Sequence, residues 1–380
     1  MKLNFLITFF IFACLFPIAV HAQPSTDLQW YDPVQEDNIQ FHGQGWEHTD
    51  LASPYDRLPA KAEQTVRKAV WNLSRHSAGI YLTFSTDAPE IIVRYQTTSS
   101  RLEMPHMPAT GVSGLDLYVD YQDDGGLMWC RGKYSFKDTI TYTYSALNSR
   151  HPKPGKIYDY RLFLPLYNGV KWMEIGIPES ASFSNSKSKP NQPIVVYGTS
   201  RAQGGCASRP AMAWSSILQR DLDNPVINLA FSGNGQLETE VISLINEIDA
   251  RLYILDCLPN LGSQKNFPDE ELKKRVRQSV ESLKKAHPNT PVLLTDNAGY
   301  SDEPVSGHIH DVVVRVNGIQ KEVYEELKAE GISDLFYLTN EEINMCMDCT
   351  VDGTHETDLG MTYYGLAYAK KIREIFDEGH

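Results

Sequence analysis

From residue 193 onward the chain alternates two periodicities, and that alternation leaves few folds open to it. Ile194–Tyr197, Val226–Leu229, Leu252–Leu255, Val292–Thr295 and Leu335–Leu338 are short apolar runs without polar alternation, the pattern of strands buried on both faces. Between and after them, Leu237–Ile248, Pro268–Ala286, Val312–Ala329 and Met361–Phe376 carry apolar residues at helical spacing. Strands separated by helices pair in parallel, because a crossover helix carries the chain back to start the next strand in the same direction. Five such strands predict an α/β unit with a five-stranded parallel sheet covered on both faces.

The half before it obeys a different rule. Ile80–Ser85, Ile91–Tyr95, Leu115–Tyr121, Thr139–Tyr144, Ile157–Leu164 and Trp172–Ile177 are β-rich runs, several of them alternating in period two. Turn clusters such as Thr86-Asp87-Ala88-Pro89, Asp123-Asp124-Gly125-Gly126 and Asn168-Gly169 separate them. This predicts an antiparallel β-sandwich with one face wet. Ala60–Trp71 reads as a helix or an extended lead-in. Trp30, Trp46, Trp71, Trp129 and Trp172 are expected mainly in the core, with stacking on sugar rings as the alternative. No acid, base or metal set converges in this half. Ala181–Lys189 is polar and serine-rich and is followed by Pro190 and Pro193, the composition of a boundary. The expected division is therefore 23–187 and 188–380.

At the N-terminus Lys2 precedes an apolar stretch from Leu3 to Val20, and Val20-His21-Ala22 is small at −1 and −3. This reads as a signal peptide, residues 1–22, cleaved after Ala22, and an exported protein without stable membrane insertion. A formal charge of −13 disfavours nucleic acid and anionic membranes, which select basic surfaces. Beyond the leader lie Cys130, Cys206, Cys257, Cys346 and Cys349; scattered and odd in number, they are not a disulfide framework. Cys346-x-x-Cys349 could be a local disulfide, two buried thiols, a redox pair or half a zinc site. Cys257 sits in an apolar run and is expected in the core.

The chemistry gathers at strand ends. Gly198 follows the first parallel strand, lets the backbone turn, and puts Ser200 just past the strand's carboxyl end, where open α/β sheets carry their sites. Asp352 and His355, three apart in the loop before the last helix, can lie side by side, the carboxylate fixing the imidazole tautomer. Ser200 needs such a base, since a serine hydroxyl is a poor nucleophile at its free pKa. Asn228–Gly235 offers a backbone N–H at Gly233, and Asp256–Asn260 offers the Asn260 amide; both can donate to an oxyanion beside Ser200. Cys206 is a rival nucleophile without an adjacent base in sequence. His308-x-His310-Asp311 fits a metal no better than a helix start. No lysine follows Gly204-Gly205 as a P-loop would require.

Gly198-Thr199-Ser200, Gly233, Asn260 and Asp352-x-x-His355, in this order with strands between, resemble the four blocks of the SGNH/GDSL hydrolases. Thr199 stands where that family usually has aspartate, and the glycine and aspartate that usually flank the asparagine are missing around Asn260. Gly114-Leu-Asp-Leu-Tyr118 is similar to the GxDLY signature of a β-domain that precedes such hydrolases in secreted bacterial proteins. The resemblance implies a jelly-roll-like β-sandwich followed by a three-layer α/β/α, flavodoxin-like hydrolase domain. It implies a serine esterase with Ser200 as nucleophile, His355 as base and Asp352 orienting it. Ser200 N–H, Gly233 N–H and the Asn260 amide would form the oxyanion hole, without metal or organic cofactor. An exported acidic enzyme with an aromatic β-domain suits an acylated glycan, most simply an acetyl ester. Lipase, thioesterase or aryl esterase, and a non-catalytic glycan-binding protein, are the alternatives. On this reading residues 193–380 contain the whole catalytic apparatus, and the β-domain places substrate or covers apolar surface.

Overall fold

The computed structural model describes residues 27–121, 126–149, 156–186 and 191–377. The expected leader, the turn residues Asp123–Gly125 and Lys187–Pro190 of the boundary segment lie outside the described residues.

The first half holds β1 (Leu28–Tyr31), β2 (Gln40–His42), β3 (Tyr81–Thr86), β4 (Glu90–Thr97), β5 (Asp116–Asp120) and β6 (Leu127–Cys130). It continues with β7 (Lys133–Ser135), β8 (Ile140–Ser145), β9 (Tyr158–Phe163), β10 (Val170–Pro178) and β11 (Phe183–Ser184). They pair antiparallel into two sheets, β1-β10-β4-β8-β7 and β11-β3-β9-β5-β6, with β2 beside β3. The period-two pattern sets the inner face: Ile91, Val93 and Tyr95 of β4 and Ile140, Tyr142 and Tyr144 of β8 are buried. They meet Leu82, Phe84, Leu117 and Leu162 of the other sheet in one core. The expectation of a wet outer face fails at β3, whose residues are all buried. That face rests on the second half, where Tyr81, Tyr118 and Phe163 pack with Ala211. The helical segment near residue 60 is a 3-10 turn, Ala60–Gln64, followed by α1 (Lys68–Ser74); a single turn, α2 (Ala109–Val112), comes later.

The second half is built on β12 (Ile194–Gly198), β13 (Val226–Ala230), β14 (Leu252–Asp256), β15 (Val292–Thr295) and β16 (Leu335–Leu338). All are parallel, in the order β13-β12-β14-β15-β16, the flavodoxin-like arrangement. The helices are α3 (Ser200–Gln203), α4 (Trp214–Leu222), α5 (Thr239–Ile245), α6 (Asp269–Ala286), α7 (Gly307–Ala329), α8 (Asn340–Ile343) and α9 (Asp358–Ile375). No helix among the described residues is long and apolar enough to cross a membrane.

Neither face of this sheet is covered by the second half alone. On one face, Leu58, Ala62, Val66, Val70 and Trp71 of the first half join the core of α5, α6 and α7. On the other, Ala78, Met107, Val112 and Leu166 join the core of α4 and α9. Arg57, 1 % exposed, closes the free edge of β13 by donating from one guanidinium nitrogen to the carbonyls of Asn228 (3.0 Å) and Ala230 (2.7 Å). Of the two roles expected for the β-domain, covering apolar surface is the one these contacts serve: cut from the first half, residues 193–380 would expose two apolar faces and an open strand edge.

The GxDLY residues serve the same junction. The buried Asp116 carboxylate accepts from the Arg209 guanidinium (2.8 Å), the Ala211 N–H (2.9 Å) and the Trp129 indole (3.0 Å). Tyr118 lies 3.0 Å from Arg209 through its hydroxyl.

Candidate active site

Ser200 opens α3 directly beyond β12. The turn between them is tight: a Cβ at Gly198 would come within 2.7 Å of the Ala202 Cβ, so glycine is required there. The last loop delivers its partners. Asp352 Oδ1 accepts from the N–H groups of Thr354 (3.1 Å) and His355 (2.8 Å), folding 352–355 into a closed turn with Gly353 at φ +87°. His355 donates from Nδ1 to Asp352 Oδ2 at 2.8 Å and accepts the Ser200 hydroxyl at Nε2 at 2.9 Å. Two residues 155 positions apart in sequence thus join in one hydrogen-bonded chain. Partial burial disfavours the Asp352 carboxylate, but the His355 ring and the two N–H groups outweigh it and hold the carboxyl down at about 2. It is ionised at neutral pH and available to hold the imidazole.

The loop carrying this pair is stapled on its other side. Cys346 and Cys349 form a disulfide, which resolves the alternatives for that motif. The Cys349 carbonyl accepts from the Thr357 N–H at 2.8 Å. Thr350 and Glu356 form an antiparallel bridge, so the 350–356 turn closes like a short hairpin.

Gly233 and Asn260 occupy the ends of β13 and β14, the strands flanking β12. Gly233 has φ +67°, the left-handed conformation that asks for glycine, and space around it is open. With its amide oriented so that its oxygen is satisfied, Asn260 accepts from the N–H groups of Asn234 (3.0 Å) and Gly235 (3.1 Å). This leaves its NH₂ to donate elsewhere. A Cβ at Gly235 would lie 1.9 Å from the Gly198 carbonyl oxygen, so the two flanking loops can close over the end of β12 only because glycine is there. Gln203 of α3 accepts from the Ser232 N–H at 2.9 Å and ties the nucleophile turn to the same loop.

Directly beneath the serine and histidine lies a second link between the same two loops. Arg201 follows Ser200, Glu356 follows His355, and their side chains form a buried ion pair at 3.3 Å, 1 % and 0 % exposed. Arg201 also donates to the Gly299 carbonyl at 2.6 Å and lies over the Tyr300 ring. Asp256, fully buried at the end of β14, adds a second carboxylate; burial raises it to about 6 despite the pull of Arg201 and Tyr368. Glu356 is raised too, by burial, against the attraction of Arg201. Burial thus raises both acids against the pull of the one guanidinium, so the cluster takes up a proton more readily than free carboxyls would.

The first half reaches the site as well, although its sequence predicts no acid, base or metal set. The Tyr167 hydroxyl donates to the Ser200 carbonyl at 3.2 Å, and the His106 ring centroid lies 5.8 Å from that of His355. Gln203 donates to the Leu166 carbonyl at 3.1 Å. The Cys206 thiol donates to the His106 carbonyl at 3.2 Å. Its base is nearer in space than in sequence: ligand atoms of His106, Cys206, Asp352 and His355 all lie within 4.8 Å of one another. Burial, with Asp352 and Glu356 nearby, nevertheless pushes the Cys206 thiol up to about 12. That favours the thiol form, whose proton is held by the His106 carbonyl, whereas it is the Ser200 hydroxyl that meets His355 Nε2. Cys257 is buried, as expected. His308, His310 and Asp311 fall in the first turns of α7, where His310 pairs with Glu303 at 3.0 Å.

Sequence reasoning passed over Arg201, Gln203, Gly205 and Glu356. A Cβ at Gly205 would come within 2.9 Å of His355 Cδ2 and 3.1 Å of the Ser200 carbonyl oxygen. The available signal was adjacency: opposite charges immediately after Ser200 and His355.

Residues 191–373 match the GDSL-like lipase/acylhydrolase family, and residues 28–183 match the N-terminus of SGNH-hydrolase-type esterases. No curated protein matches the chain. Among solved structures it is similar to a Bacteroides ovatus protein described as a GDSL-like lipase, with 26 % identity, TM-score 0.82, and 92 % of this chain and 98 % of that one covered. It shares its fold with a salicylyl-acyltransferase from a tetracycline biosynthetic pathway (17 % identity, TM-score 0.70, 92 % and 98 % covered). It also shares it with an acetyl xylan esterase of Butyrivibrio proteoclasticus (10 % identity, TM-score 0.56, 92 % and 99 % covered).

Proposed function

Since the chain belongs to the GDSL-like lipase/acylhydrolase family through residues 191–373, behind the β-domain characteristic of SGNH-type esterases, we propose that it is an exported serine esterase removing acetyl groups from a carbohydrate. The observation that carries this reading is the unbroken chain Asp352–His355–Ser200, with contacts of 2.8 and 2.9 Å. Ser200 Oγ attacks the ester carbonyl carbon while His355 Nε2 takes its proton, and the resulting imidazolium is stabilised by Asp352. The oxyanion receives hydrogen bonds from the N–H groups of Ser200 and Gly233 and from the Asn260 amide. When the intermediate collapses, His355 returns the proton to the leaving sugar hydroxyl, and Ser200 holds the acyl group. Water, deprotonated by His355, then releases the acid and restores the serine.

Cys206 and His106 flank the His355 side of the site. The fold relationship to an acetyl xylan esterase supports a glycan as the alcohol. The test is acetate release from a panel of acetylated polysaccharides by purified protein, alongside hydrolysis of 4-nitrophenyl acetate. Turnover of both is expected. Turnover of the small ester alone, with preference for longer acyl chains, would favour the lipase or thioesterase reading. No turnover of either would leave a binding protein.

A further inference from the structure

The sandwich leaves one edge open. β6 and β7 are the terminal strands of their two sheets, and at that edge a cavity of about 380 Å³ is rimmed by Trp129, 47 % exposed, and Tyr134, 56 % exposed. Its walls include Ser208 and Arg209 of the second half. They follow Cys206, which stands beside His355, so the cavity adjoins the segment leaving the nucleophile turn.

Trp129 is held in place although half of it meets water. Its indole N–H is bound at 3.0 Å by Asp116, itself 3 % exposed and fixed by Arg209 and the Ala211 N–H. The Arg209 guanidinium lies 4.8 Å from the ring centroid. A large aromatic that is oriented by a buried carboxylate and yet kept out of the core is a preorganised platform. A second cavity of about 370 Å³ shares Trp129, Cys130 and Arg131 with the first and adds Met128, 43 % exposed. Two concavities meeting at one aromatic suit successive units of a chain better than a single compact ligand. The Arg209 charge is balanced by Asp116; Arg131 lines both cavities and Lys133 the second, but the chain's net charge of −13 opposes the approach of an anionic polymer.

We propose that this groove binds a neutral polysaccharide chain, with the C–H face of one pyranose ring on Trp129 and a neighbouring unit against Tyr134. The choice of ligand rests on the acylated-glycan reading above; the groove itself does not depend on catalysis. The experiment is titration calorimetry of the full-length Ser200→Ala protein with β-1,4-linked hexasaccharides of xylose, glucose and mannose. At least one is expected to bind, and Trp129→Ala should weaken it about tenfold, the scale of one lost aromatic contact. Tyr134→Ala, at a more exposed position, should weaken it several-fold, with the unfolding curve measured alongside. On the Ser200 enzyme both substitutions should raise KM for acetylated polymer and leave kcat/KM for 4-nitrophenyl acetate unchanged. Absence of binding by all three sugars at millimolar concentration, or binding that neither substitution alters, overturns the proposal. Failure of the esterase reading looks different: no acetate release by the Ser200 protein, with hexasaccharide binding still dependent on Trp129.

Discussion

The two halves of the molecule contribute to one site in different currencies. The second half supplies every group placed in the reaction, all from the carboxyl ends of parallel strands or the loop after the last of them. The first half supplies contacts one step removed: Tyr167 on the Ser200 carbonyl, Leu166 on Gln203, the His106 carbonyl on Cys206. Parallel strands that all end at one edge converge their loops, whereas antiparallel strands scatter their ends to both edges and present surfaces instead. The difference teaches that dependence of fold and location of chemistry are separate matters. The sheet that carries the reaction is incomplete without a half that takes no part in it.

If this division holds, the sharpest loss must come from the second half. Ser200→Ala should lower kcat by about 10⁴-fold or more with an unchanged unfolding curve, measured on 4-nitrophenyl acetate; activity near that of the parent would break the assignment. Asn260→Ala should follow, with kcat down about 10²–10³-fold and KM little moved; an effect on KM alone would make Asn260 a substrate contact. By contrast Tyr167→Phe, which removes one neutral hydrogen bond from the nucleophile turn, should cost less than about tenfold in kcat. A loss as large as that of Asn260→Ala would mean that the first half enters the chemistry.

Two further tests sharpen the comparison beneath the site. Arg201→Met strands two buried carboxylates without a cation and should destabilise the protein by about 3–5 kcal/mol at neutral pH. Urea unfolding should find a smaller deficit as pH falls, since burial already raises both carboxyls and protonation removes the stranded charge. The smallest effect concerns Asp256, whose carboxyl is raised in the fold from 3.8 to about 6. Its contribution to stability is full below the lower value and is lost as pH rises through the upper one. Asparagine does not titrate, so the Tm of Asp256→Asn relative to the parent should climb between those two values and then level off. A flat difference would mean that the proton resides on Glu356 instead.

Much of this architecture could be read in the residues. The five parallel strands are short, mostly apolar runs buried at nearly every residue. The serine, glycine, asparagine and aspartate–histidine blocks were legible because each ends a strand or precedes a helix. What could not be read has physical causes. β7 consists of three exposed residues, Lys133–Ser135, and carries no hydrophobic signal; β1 and β2 are short and partly exposed. The burial of β3 on both faces depends on a partner surface that comes over a hundred residues later. The Arg201–Glu356 pair joins charges that in sequence look like two solvated residues. The need for Gly205 appears only once His355 is folded over it.

The Arg57 contact at β13 also has a consequence in time. A chain is made from its N-terminus, and domains formed first can fold while the rest is still emerging. The guanidinium that closes β13 belongs to the part synthesised first, as do the apolar residues that follow it, Leu58 to Trp71. When Val226–Ala230 emerges behind that part, its outer edge has a waiting partner and need not find one on a neighbouring chain. Reversing the order of the two halves would keep every residue and every contact of the finished molecule. It would also leave β13 exposed for as long as the remaining residues take to be made.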